Sequence, residues 1–280
     1  MLSIHTNPPA MTALRNLTGI QMAKDRVQDH VSTGLRVTGA VEDASNFAIA
    51  QGIRTDLRAI DAVIKGLNNA KGVAQVGIAG ATAVSNLMID IRKKITEGAN
   101  EGNTTLQQQI LQNDYSDMIA QMRQILENST FNGENILIED AIPFNLAIGT
   151  VNDINVLSNI DGSTLTVRGQ RIDVSYARLV NEDISTPANA QNALTVWETA
   201  MTDIGTALGE LGADARALNL QTTFLESTRD AVDEGLGNIV DANMARESAR
   251  LTALQVQEQL AVQTLGLANQ RPQTILGLFQ

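Results

Sequence analysis

The side chains best suited to chemistry are few in these 280 residues: two histidines, His5 and His30, no cysteine, and, in the first half of the chain, an acidic pair, Glu42-Asp43. A zinc hydrolase takes two histidines four apart on one helix with a glutamate between them, and His5 and His30 cannot form that pair. No phosphate-binding loop, G-x-G-x-x-G or calcium-loop spacing occurs. Asp43 is better placed to cap a helix than to move a proton. His30 is read as a polar interface residue beside a heptad stripe rather than as a switch. Without cysteine there is neither disulfide nor thiolate chemistry. These residues predict no enzyme, no cofactor and no metal site. Function then has to come from surfaces, and surfaces are made by the elements that carry them.

Hydrophobic residues make up 43% of the chain and charged residues 18%, a balance that folds. Aromatics are only 3%, which favours thin helical packing by Ala, Leu, Ile, Val and Met over a thick globule. No uncharged apolar window reaches transmembrane length, and the opening "MLSIHTNPPAMTALRNL" lacks the basic-then-apolar pattern of a leader, so no membrane insertion is expected. The formal net charge of -11 argues against a nucleic-acid partner, which requires clustered Lys and Arg. That charge is uneven: residues 1–40 carry +2 and residues 240–280 carry 0, leaving -13 between them. Near-neutral, apolar ends suit burial and an acidic middle suits solvent.

Five prolines, at 8, 9, 143, 187 and 272, leave residues 10–142 and 188–271 open to long helices. Stepping by fours and threes from Ala190 to Leu267 meets an apolar side chain at 19 of 23 positions, read here as one seam without a slip. Unbroken, it would span roughly 115 Å. Gly235 and Gly237 are the expected bend. Thr186 is placed to cap this helix, with Pro187 at its first position. Matching stripes run from Leu57 to Ala81 and from Leu111 to Ile125, separated by "EGANEGNTTLQQQ". There Gly98 ends one helix, and Thr104 with Gln107 can form a capping box for the next. Leu14, Leu17, Ile20, Val27 and Val31 fall at heptad spacing near the start, so helices from the two ends of the chain are expected to pair. Between roughly 131 and 186 the period changes. Asp161-Gly162 reads as a two-residue hairpin turn, and Leu165, Val167, Ile172 and Val174 alternate around a second turn at Gly169-Gln170, predicting a small β cap. The expected fold is mainly α: a long antiparallel helical bundle or coiled coil with a β-hairpin cap and with the N- and C-terminal helices paired.

The last helix carries a second apolar stripe, Leu251, Leu254, Ala261, Leu265 and Ala268, broken once by Glu258, and the chain closes with uncharged Ile275, Leu276, Leu278 and Phe279. One partner helix covers one seam. The second seam and the tail call for burial against further copies, and a head-to-tail contact that does not close a ring gives a helical filament.

The segments "IHTNPPAMTALRNL" (Asn7, Ala13, Leu14, Asn16, Leu17) and "VSTGLRVTGAVEDASNFAIA" (Ser32, Gly34, Leu35, Arg36, Asp43, Ala48, Ile49, Ala50), the Phe131-Asn132-Gly133 turn and "LANQRPQTILGLFQ" (Ala268, Asn269, Gln270, Pro272, Leu276) together carry a resemblance to bacterial flagellin. It covers roughly residues 1–138 and 187–280, and its brevity resembles flagellins of alphaproteobacteria. It implies a structural subunit that polymerises with itself into the flagellar filament for swimming motility. Residues 1–42 and 240–280 would form an inner-tube coiled coil, and residues 43–239 an outer-tube bundle with the β cap at about 131–186. It further implies export through the flagellar type III apparatus without a cleaved signal peptide, and contacts with a hook-filament junction protein, a filament cap and an export chaperone. With the stripes, it assigns the assembly interface to Leu14, Leu17, Val27, Val31, Arg92, Leu251, Leu254, Val256, Leu260, Leu265, Leu276, Leu278 and Phe279. In "IDIRKKITEGAN", Arg92 matches the family's inter-subunit and innate-receptor segment, whereas Lys93 and Lys94 replace its Glu-Leu, which implies weak recognition by the flagellin-sensing toll-like receptor. The rival readings are the related hook-filament junction protein and a flagellin-like surface adhesin or polysaccharide-binding protein.

Overall fold

The computed structural model describes residues 6–138 and 153–276, and side chains as far as residue 270. Its described residues hold six helices and one two-stranded sheet, in the order α1 (Pro8–Thr33), α2 (Ala44–Gly98), α3 (Thr105–Asn128), β1 (Ile154–Leu157), β2 (Thr164–Val167), α4 (Ile172–Val180), α5 (Pro187–Val240) and α6 (Met244–Leu276). The chain is mainly α, as its periodicity predicts. Two compact units divide it, residues 1–57 with 230–280 and residues 58–229, the boundaries falling inside α2 and α5.

The larger unit is built along the predicted seams, joined by Met88, Ile91, Ile119, Leu126 and Ala193, which the sequence stripes leave out. Leu67, Ala74, Ala81, Met88 and Ile91 of α2 bury against Tyr115, Ile119, Met122 and Leu126 of α3 and against Ala193, Trp197, Ile204 and Leu211 of α5. An 18-residue window of α2 reaches a mean hydropathy of 1.4, more apolar than the sequence reading anticipates, and many of its helix's apolar side chains are core. The capping box forms as expected: Gln107 N–H donates to Thr104 Oγ1 at 3.3 Å, while Thr104 N–H donates to Gln107 Oε1 at 2.8 Å. Thr186 Oγ1 caps α5 by accepting from Asn189 N–H at 3.3 Å. Between α3 and the sheet, the Phe131–Glu134 turn carries Asn132 at φ 53° and Gly133 at φ 88°. This turn and the residues on either side of it lie flush on α2 because Gly72, Gly77 and Gly80 carry no β-carbon to meet Phe131, Ile136 and Ser129.

Three sequence expectations change. The hairpin exists, pairing Ile154 with Val167 and Leu157 with Thr164, but a six-residue loop joins its strands. Asn159 Oδ1 closes that loop by accepting from Asp161 and Ser163 N–H at 3.2 and 2.8 Å, with Gly162 at φ 95°. The expected second turn at Gly169-Gln170 is absent. Ile172 to Val180 is helix α4, because Ile172, Ser175, Tyr176 and Leu179 bury at i, i+3, i+4 and i+7, a longer pattern that outweighs the alternation of Ile172 and Val174. The part of the expected β cap between 139 and 152 lies outside the described residues.

The third change concerns the seam. α5 runs straight through Gly235 and Gly237 and stops at Val240, so the break falls at 241–243. The repeat already betrays it, since Leu236, Ile239 and Ala242 are two three-residue steps in succession. In the smaller unit this break is stitched to the one after α1. Arg36 N–H and Val37 N–H donate to Val240 O at 2.6 and 3.4 Å, Ala242 N–H donates to Gly34 O at 2.8 Å, and Arg36 Nη2 donates to Ile239 O at 2.6 Å. Gly34 ends α1 in the left-handed region at φ 74°.

Candidate functional site

The candidate site is the pair of terminal helices in the smaller unit. α1 starts where Asn7 accepts from Ala10 N–H at 3.3 Å and prolines occupy its first positions. α6 starts where Asn243 accepts from Arg246 N–H at 3.1 Å. The helices pack antiparallel, since contacts climbing α1 descend α6: Asn7 Nδ2 donates to Ala268 O at 2.9 Å, Lys24 Nζ to Glu258 Oε2 at 2.9 Å, and His30 lies against Glu247. Lys24 holds Glu258 below the ordinary carboxylate range, and Glu258 in turn raises Lys24.

The break at 241–243 turns α6 so that its covered face is Glu247, Leu251, Leu254, Glu258, Ala261, Leu265 and Ala268, a strict four-three repeat. The stripe read from sequence as the second is therefore the intrachain seam. The stripe read as the first is left in water: Val256 is 51% exposed, Leu260 56% and Leu267 67%. α1 repeats the arrangement. Ala13, Leu17 and Val27 are buried, whereas Met11, Leu14 and Met22 stand exposed.

The residues assigned to assembly thus divide. Leu17, Val27, Val31, Leu251, Leu254 and Leu265 are brought together inside one chain, and Leu14, Val256 and Leu260 face outward. The side chain of Leu276, and Leu278 and Phe279 altogether, lie outside the described residues. Arg92 belongs to the larger unit, where its guanidinium sits 4.8 Å above the Trp197 ring. The neighbouring Lys94 pairs with Asp114 at 2.8 Å and Glu97 at 3.7 Å. Sequence reasoning missed Met11, Met22 and Val262 as exposed apolar positions. Met11, Leu14 and Met22 recur at helical spacing, but a stripe of three does not separate inside from outside until the partner helix is placed. It also missed the burial of His30, only 8% exposed between Glu42 and Glu247.

Two family models match the sequence, the bacterial flagellin N-terminal helical region over residues 4–140 and the C-terminal helical region over residues 194–279. Flagellin FljK of Caulobacter vibrioides is 30% identical over 99% of this chain and 98% of its own length. A flagellin of Brucella melitensis is 31% identical over the whole of both chains. Among solved structures, a putative flagellar hook-associated protein from Vibrio parahaemolyticus shares the fold with a TM-score of 0.59 at 15% identity, over 71% of this chain and all of that one.

Proposed function

Because the chain belongs to the bacterial flagellin family and is a structural subunit of the flagellar filament, we propose that its copies join through the uncovered apolar faces of α1 and α6. One observation above others supports this: α6 covers one heptad face with α1 and leaves Val256, Leu260 and Leu267 in water on another. Burying side chains of this size contributes on the order of 1.5–3 kcal/mol each, so association recovers stabilisation that a lone subunit lacks. Contacts of this kind repeated head-to-tail give an open helical polymer. In this reading residues 1–42 and 240–280 form the inner tube, residues 43–239 face outward, and Leu276, Leu278 and Phe279 extend the buried surface. Arg92 serves contacts of the outer part. The subunit leaves the cell through the flagellar type III apparatus with an export chaperone, and meets the junction protein at one end of the filament and the cap at the other.

Negative-stain electron microscopy of the purified full chain, seeded with filament fragments, tests the proposal. Long uniform filaments are expected. Persistent monomers whose α1 and α6 are readily cut by protease would sink it and favour the junction-protein reading.

A further inference from the structure

Three segments of the smaller unit meet at His30. Its Nε2 lies 2.7 Å from Glu42 Oε1, and its Nδ1 lies 3.6 Å from Glu247 Oε2. Nδ1 and that Oε2 are buried, and neither has a hydrogen-bond partner. A neutral imidazole has one N–H, so it serves one of these carboxylates and turns a lone pair toward the other; an imidazolium serves both. The charged groups around the ring are Arg26 on α1, 3.9 Å from Glu42; Arg36, Glu42 and Asp43 in the connection from α1 to α2; and Glu247 and Arg250 on α6. Arg36 is committed to the Ile239 carbonyl. Burial opposes the charge on Glu42. The Thr38 N–H and hydroxyl, at 3.0 and 2.8 Å, together with His30 overcome that and hold Glu42 below the ordinary carboxylate range. The ring borders a cleft of about 270 Å³ that admits water.

We propose that His30 is the clasp of the terminal helix pair: an imidazolium that donates Nε2–H to Glu42 and turns its Nδ1–H toward Glu247 as an ion pair, fastening α1 to the turn after it and to α6. When a proton leaves to solvent, one buried carboxylate loses its donor and α6 is released. An unpaired buried acceptor is penalised far more than one that returns to water. The sign follows. The clasp's contribution is present while His30 is charged and is lost when the ring gives up its proton; Glu42, a depressed carboxylate, works oppositely and lets go as pH falls. The clasp is fastened in the window between. It lies within one chain and does not depend on the filament reading.

Having only two histidines makes the test direct. In a His5→Gln full-length chain labelled with 15N-histidine, His30 gives the sole imidazole signals, read by NMR in the soluble chain and in assembled preparations. The clasp requires a proton on both ring nitrogens, and two protonated-nitrogen signals are the expected result in the folded chain at about pH 7. Adding Glu247→Gln should return the second nitrogen to its unprotonated signal. Hydrogen exchange in the first turns of α6, corrected for its intrinsic pH dependence, should accelerate about tenfold between about pH 6 and 8 in the parent and not in Glu247→Gln, with α3 unchanged as the folded control. A neutral His30 at about pH 7 in every preparation, or equal acceleration with Glu247→Gln, overturns the clasp.

Discussion

At Gly80 a β-carbon would overlap the Ser129 hydroxyl and stand 2.8 Å from Ser129 Cβ and 2.9 Å from Leu137 Cδ1. At Gly77 it would stand 2.6 Å from Ile136 Cδ1, the free end of a flexible side chain. Gly209, in the middle of α5, has nothing within 4 Å of that position. Gly80→Ala should therefore destabilise the larger unit by about 1–3 kcal/mol, Gly77→Ala by less, and Gly209→Ala should stabilise it by about 0.5–1 kcal/mol. Thermal unfolding followed by circular dichroism should rank the four proteins in that order, and equal midpoints would contradict it. In the sequence all three glycines look alike, as weak positions inside a helical stripe; what separates them is a connection that returns across α2 from beyond α3. Trp197 is the opposite case. Its place on the seam was legible, and the indole N–H then finds Met88 O at 2.7 Å, so Trp197→Phe should keep the packing and lose about 1 kcal/mol through the abandoned carbonyl, read as a lower urea midpoint.

For the elements, period and caps carried the prediction where patterns were long. The stripes of α2 and α5, the capping box at Thr104 and the Thr186-Pro187 start were all readable, because eight or more positions outvote a local exception, whereas the five-position stripe of α3 took Met118 and Ile125 beside the more deeply buried Ile119 and Leu126. α4 was not, since four alternating residues fit a strand and a helix equally well. The register of α6 was hidden for another reason: a helix with apolar residues on two faces offers two seams, and only the break at 241–243 chooses between them. One alanine inserted after Asn243 would turn α6 by about 100°, exchange the seams and part Lys24 from Glu258. Limited proteolysis should then cut α1 and α6 while leaving α3 intact, and an unchanged digest would show that the break does not set the register. Acid acts on the same pair. Glu258 beside Lys24, Asp43 held by Asn46, and Glu42 are all depressed carboxylates, so their stabilisation is present at neutral pH and lost as pH falls through their folded-state titrations. Hydrogen exchange in α1, the first turn of α2 and α6, corrected for its intrinsic pH dependence, should quicken below about pH 4, in the ordinary carboxylate range, and flat protection through that range would count against these bonds.

On the scale of the whole molecule, the two leucines once assigned to a single interface separate. Leu260→Asp changes a side chain that is already exposed, and should leave a folded, helical monomer that fails to extend seeded filaments. Leu265→Asp places a charge in the intrachain seam and should loosen α1 from α6 as well. Comparing filament growth by microscopy with proteolysis of the soluble chain distinguishes them; identical behaviour of the two variants would refute the division of faces. The stitched connections around Gly34 and Val240 bear on how such a subunit carries load. Two covalent strands leave the terminal helix pair side by side, and hydrogen bonds run between them like rungs. A joint of that kind can flex across its width with little resistance, but twisting it must shear the rungs together. A twist applied to one helix is therefore shared with the other through these bonds rather than lost as free rotation at the connection.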